Sequence, residues 1–127
     1  MTSLPELLGI RFGTVEHGFA DGRLELRQEL MAPNDYLHAA TVVALADTLC
    51  GFGCLASLPE GAANFTTIEL KTNFVRSART GDTLHGEARM AHGGRTTQVW
   101  DATVRRESDG KDLALFRCTQ YLLSVEG

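Results

Sequence analysis

The sequence predicts an α+β fold in which one antiparallel β-sheet wraps a single long helix. Three observations lead there. The segment His38 to Ala56 (HAATVVALADTLCGFGCLA) is long enough for about five helical turns and is apolar nearly all round, which describes a helix buried on most sides. Extended runs separated by turn signals stand on both sides of it. Nothing else in the chain can cover such a helix, so the strands must do so as one sheet.

In chain order, Leu4 to Leu8 predicts a short helix, and Ile10 to Phe19 and Arg23 to Leu30 predict two strands that pair antiparallel across a turn at Ala20-Asp21-Gly22. The long helix follows. Ser57-Leu58-Pro59-Glu60-Gly61 breaks it. Asn64 to Val75 then places Ile68, Leu70 and Phe74 at period two, as in a strand with one face inward. Turns at Thr80-Gly81-Asp82, Gly93-Gly94 and Ser108-Asp109-Gly110 deliver the strands Thr83 to Ala91, Thr96 to Arg106 and Asp112 to Ser124. The order is β-β-α-β-β-β-β with no repeat or linker. Sheet edges and a second sheet face remain to be hidden, which dimerisation would achieve.

A chain of 127 residues, 43% hydrophobic, has the size of one domain spanning 1–127 and can bury a real core. A net charge of −4 and a pI near 5.5 argue against nucleic acid or an anionic membrane as a general partner. No signal-peptide pattern is present, and the longest apolar stretch is interrupted by Asp47 and two glycines, so a cytoplasmic protein with no membrane span is expected. Cys50, Cys54 and Cys118 read as reduced core thiols, and the four histidines lack metal-ligand spacing, so no metal is expected.

Asp47 is the most informative residue of the chain. An ionised carboxylate inside an apolar helix costs several kcal/mol unless it is paired, protonated or facing a cavity, and no cation stands at i±3 or i±4 within the helix. It either hydrogen-bonds a neighbouring amide or a hydroxyl such as Thr48 or Thr67, or it marks a functional cleft.

The run His38-Ala39-Ala40-Thr41-Val42-Val43-Ala44-Leu45-Ala46-Asp47 resembles the signature of the hotdog-fold acyl-CoA thioesterases of the phenylacetate-degradation type: His-Gly-Gly, four variable residues, then Leu-Ala-Asp. The resemblance extends from Leu7 to about Leu123 and includes Asn73-Phe74-Val75-Arg76 and Gly81-Asp82. Both glycines of the family pattern are alanines here, Ala39 and Ala40. Ala32 stands where the family has Asn or Gln, with Asn34 two residues later as the side chain that would fill that role.

The resemblance implies hydrolysis of an acyl- or aryl-CoA thioester, with coenzyme A as part of the substrate and no other cofactor. It makes Asp47 the nucleophile or the general base, the Ala39 backbone N–H at the helix start the oxyanion donor, and Thr67 the hydroxyl that orients Asp47 or its water. His38 would shape the oxyanion pocket or bond the preceding loop, and Ala40 would lie against the substrate beside it. Nine residues of helix advance about 13 Å, so one thioester carbon cannot reach both ends within a chain. The family builds its site across a dimer, and a homodimer, alone or as a dimer of dimers, is expected. Arg76, Arg79 and Arg95 are candidates for the coenzyme A phosphates, the last beside glycine amides that would help cradle an anion, or else solvated charges. Phe52, with Leu49, Cys50 and Trp100, lines an acyl or aryl pocket or belongs to the core. Gly51 and Gly53 suggest close packing of another backbone, such as a partner's helix.

Three rivals stand beside this reading: a hotdog hydratase or dehydratase using His38 and Asp47, a non-catalytic acyl-CoA-binding protein of the same fold, and a cysteine hydrolase using Cys50 or Cys54.

Overall fold

A computed structural model describes residues 2–125, so Met1, Glu126 and Gly127 of the expected 1–127 domain lie outside the described residues. The elements are α1 (Leu4–Leu8), β1 (Arg11–Glu16), β2 (Phe19–Glu25), a 3-10 turn (Gln28–Leu30), α2 (Ala39–Leu55), β3 (Ala62–Phe74), β4 (Thr83–Gly93), β5 (Thr97–Arg106) and β6 (Asp112–Ser124). The six strands form one antiparallel sheet in the order β1-β2-β4-β5-β6-β3. All six touch α2, which lies in the curve of the sheet. This is the hotdog arrangement the sequence predicts, with α2 within a residue of the expected helix.

Alternation along the inner strands makes the core. Ala20, Gly22 and Leu24 of β2, Leu84, Gly86 and Ala88 of β4, Trp100, Ala102 and Val104 of β5, and Ala114, Phe116 and Cys118 of β6 all bury toward α2. From the helix, Leu45, Ala46, Leu49, Cys50 and Cys54 are fully covered. A fully buried leucine contributes about 1.5–3 kcal/mol. Leu49 sits over two glycines that face each other across β2 and β4: a Cβ on Gly22 would lie 3.0 Å from Leu49 Cδ2, and one on Gly86 2.6 Å from Cδ1. The paired glycines are a dent that brings the helix close to the sheet.

That dent corrects the sequence reading of the first hairpin. Ala20, Asp21 and Gly22 are strand residues, and the chain turns at His17-Gly18, where Gly18 adopts a φ of 77°. Gly22 is there for close approach rather than for a turn. Consequently the second run, expected at Arg23 to Leu30, begins at Phe19, ends at Glu25, and gives way to the 3-10 turn.

β3 also departs from expectation. Its pairing with β6 slips between Thr67 and Glu69, a bulge, and Ile68, Leu70 and Phe74 are 59%, 44% and 49% exposed instead of turned into the core. As the edge of the sheet, β3 is partly covered at Ala62, Phe65, Thr67 and Thr72 and exposed elsewhere along its length. No helix among the described residues is long and apolar enough to cross a membrane.

Candidate active site

Asp47 lies in the middle of α2, on the flank the sheet leaves open, and is half-buried. Burial pushes its pKa above the ordinary carboxylate value, which a Thr67 hydroxyl turned toward it partly offsets. Thr67 Oγ1 is 3.4 Å from Asp47 Oδ1. Among the described residues no Lys, Arg or His forms an ion pair with Asp47, while the other strongly placed carboxylates, Asp101 and Asp109, each hold an arginine. A half-buried carboxylate without a counter-charge keeps its basicity and stays reachable.

The start of α2 explains what His38 does. It is the N-cap, and its Nδ1 accepts a hydrogen bond from the Ala40 amide at 3.0 Å. The Thr41 amide bonds the His38 carbonyl, and its hydroxyl donates to the Leu30 carbonyl at 2.8 Å. The Ala39 amide has no acceptor among the described residues and stands at the positive end of the 17-residue α2. Ala39 and Ala40 are both exposed, so a ligand can approach that end.

Other candidates are not brought to Asp47. Asn34 turns inward on its own loop, its Oδ1 accepting from the Tyr36 amide at 3.2 Å, while the Ala32 amide bonds the Tyr36 carbonyl and Asp35 takes a φ of 67°. Arg76 donates to the Asp112 carbonyl at 2.8 Å. Arg79 lines a cavity of about 460 Å³ with Tyr36, Ser77 and Arg106, and Arg95 lines a different one of about 470 Å³ with Glu60, Tyr121 and Ser124. The three arginines therefore do not converge on one anion site within a chain. Nor is the Gly94 amide free for an anion, since it donates to the Thr97 carbonyl at 2.9 Å to close the hairpin.

Phe52 is 41% exposed and meets Phe12 of β1 at 4.5 Å between ring centroids, whereas Leu49, Cys50 and Trp100 are wholly core. The helical glycines pack on rings of the same chain, not on another backbone: a Cβ on Gly51 would stand 2.9 Å from the Phe65 ring and one on Gly53 2.5 Å from Trp100. Burial excludes the thiols as nucleophiles. Cys50 is pushed well above the ordinary thiol value by its hydrogen bond with Cys118 and by burial, and Cys54 to about 11 by burial and then Cys118. Among the described residues no cluster of His, Cys, Asp or Glu is placed to hold a metal ion.

Two buried amides escaped the sequence reading. Gln98 and Gln120 are 1% and 0% exposed, opposite each other on β5 and β6, and Gln120 also faces Thr67 across β3. Their signal was a polar residue on the inward period of an apolar strand, Phe116, Cys118, Gln120, Leu122.

Comparison with known proteins adds the family. The thioesterase superfamily profile matches residues 34–112, which include α2 and Thr67. The 1,4-dihydroxy-2-naphthoyl-CoA hydrolase of Listeria monocytogenes is 32% identical over 116 residues, 91% of this chain and 92% of that protein. The acyl-coenzyme A thioesterase PaaI of Escherichia coli is 29% identical over 110 residues, 87% of this chain and 75% of that one. A mutant thioesterase of Pseudomonas aeruginosa superposes with a TM-score of 0.89 at 28% identity, covering 98% of this chain and 88% of that one.

Proposed function

The chain belongs to the thioesterase superfamily, and we propose that it hydrolyses an acyl- or aryl-CoA thioester to the free acid and coenzyme A, with Asp47 as the reacting carboxylate. The observation that carries this is the setting of Asp47: half-buried, without a cation, raised in pKa, and touched by one hydroxyl. Two relatives named as CoA thioester hydrolases support the substrate class.

Asp47 either attacks the thioester carbonyl carbon, forming an acyl anhydride as the coenzyme A thiolate leaves and water then cleaves the anhydride, or it takes a proton from a water that attacks the same carbon. In both routes negative charge collects on the carbonyl oxygen, which the free Ala39 amide at a helix N-terminus suits. The two groups stand eight residues apart on one helix, about 12 Å. The reading therefore takes Asp47 from one copy and the Ala39 amide from a second. The unpaired edge of β3 and the exposed Ile68, Leu70, Phe74 and Val75 offer the surface for that pairing. His38 speaks against the hydratase alternative, because the Nδ1 lone pair a base would use is engaged by the Ala40 amide.

The test is turnover of short, medium and aryl acyl-CoA substrates by wild type and Asp47→Asn. Loss of the thioester is followed directly, so that the readout does not depend on a thiol reagent. A loss of about a hundredfold or more in kcat is expected. An Asp47→Asn variant as active as wild type removes Asp47 from the mechanism, and tight acyl-CoA binding without turnover moves the protein to the binding-protein alternative.

A further inference from the structure

We propose that Gln120 is a positioning residue for this reaction: its buried amide sets the direction of the Thr67 hydroxyl and through it the orientation of the Asp47 carboxylate. The proposal rests on the reading of Asp47 as the reacting group.

Thr67, Gln120 and Gln98 form a row across three adjacent strands on the inner face of the sheet. The two amides are held differently. Gln98 receives the Trp100 indole N–H on Oε1 at 2.7 Å and donates from Nε2 to the Ser57 carbonyl at 2.9 Å. An indole only donates and a carbonyl only accepts, so that amide has one orientation. Gln120 lies between a hydroxyl and a thiol: Oε1 accepts from Thr67 Oγ1 at 2.7 Å, and Nε2 is 3.5 Å from Cys118 Sγ. Both partners can donate or accept, so the amide has two satisfied orientations.

Those orientations match the two states of Asp47. Thr67 has one hydroxyl proton, and with the bond to Gln120 at 2.7 Å against 3.4 Å to Asp47, that proton is spent on Gln120. This arrangement suits a protonated Asp47, which would donate to Thr67 Oγ1. An ionised Asp47 can only accept. Thr67 must then turn its proton to Asp47, Gln120 must rotate its amide half a turn to donate from Nε2 to Thr67 Oγ1, and Oε1 must accept the Cys118 S–H. No heavy atom besides the amide needs to move. Burying an amide costs free energy that an apolar residue of the same shape avoids, and the donor–acceptor pair is the property an apolar residue lacks.

The experiment compares wild type, Gln120→Met, Thr67→Val and the double variant. Gln120→Met keeps length and volume while removing the amide. We expect kcat to fall about tenfold with KM within about twofold, and no further fall when Gln120→Met is added to Thr67→Val, because Gln120 acts through that hydroxyl. Unchanged kcat in Gln120→Met, or losses that multiply in the double variant, overturns the proposal. Crystal structures supply a readout independent of turnover: in Gln120→Met the Thr67 hydroxyl is left with Asp47 as its partner, and Thr67 Oγ1 is expected to close on Asp47 Oδ1 from the present 3.4 Å. If Asp47 and Thr67 stay where they are, the proposal fails even should the protein be active. Turnover retained by Asp47→Asn overturns the function reading and with it the catalytic role of Gln120, whereas a catalytic Asp47 with unmoved Asp47 and Thr67 in Gln120→Met overturns the Gln120 proposal alone.

Discussion

Trp100 occupies the space a side chain at residue 53 would need: a Cβ on Gly53 would stand 2.5 Å from Cη2 of a ring that is fully buried and pinned through its indole N–H to Gln98. The helix tolerates a glycine there, at a cost of about 1 kcal/mol in propensity, because the sheet needs the room.

Gly53→Ala should therefore destabilise the fold despite the better helix former. Overpacking costs about 1–3 kcal/mol, more than the propensity gain, and the pinned indole cannot turn aside. Gly51→Ala should cost less, because the half-buried Phe65 ring it meets at 2.9 Å has room to give. Urea unfolding of both variants checks the order; Gly53→Ala at or above wild-type stability would show that Trp100 moves freely.

Asp47 should trade stability for activity. Its pKa is raised above 3.8 in the fold, so the folded state holds the proton more tightly than the unfolded chain does. Stability is thus lost as pH rises from the unfolded value through the folded one, and the deficit then stays constant. Asp47→Asn should melt higher than wild type at neutral pH, with the difference vanishing below about pH 4. Turnover, which needs the ionised form, should fall on acidification with an apparent pKa above the ordinary carboxylate value. Thermal melts across pH and a pH–kcat profile measure the two effects.

Native thiols should be inert. Cys50, Cys54 and Cys118 are all buried, burial pushes Cys54 up to about 11, and the bond to Cys118 together with burial holds Cys50 well above an ordinary thiol. Thiol reagents should modify them only at the rate of unfolding, and Cys54→Ala should keep wild-type turnover. A rapid modification that stops turnover would return a cysteine to the mechanism.

A charge on the β3 edge should separate the subunits. Leu70 is 44% exposed and Ile68 59%, and Leu70→Lys would place an ammonium in the pairing surface, a means by which edge strands avoid one another. If the proposed dimer forms through this edge, sedimentation should show a smaller species, and turnover should fall in parallel because the proposed oxyanion donor then lies on a separate molecule. A Leu70→Lys monomer with full turnover would place the whole site within one chain.

Much of this protein is local in origin and was legible in the sequence. The apolar run from His38 to Ala56, the breaker after it, and the alternation of β4, β5 and β6 specify one helix and a sheet around it, since period and turn chemistry are carried by near neighbours. The unpaired carboxylate at Asp47 stood out for the same reason: it breaks a pattern. Tertiary structure alone decided the rest. Gly22 reads as a turn in any linear window, and only the arrival of Leu49 from a distant helix makes it a dent in a strand. The period-two residues of β3 read as buried, and only the strand order, which leaves β3 at an edge beyond the helix, exposes them. Gln120 and Thr67 are 53 residues apart and meet because β3 crosses the sheet to pair with β6. Such contacts depend on which strands become neighbours, a choice set by burying the whole helix at once rather than by any one segment.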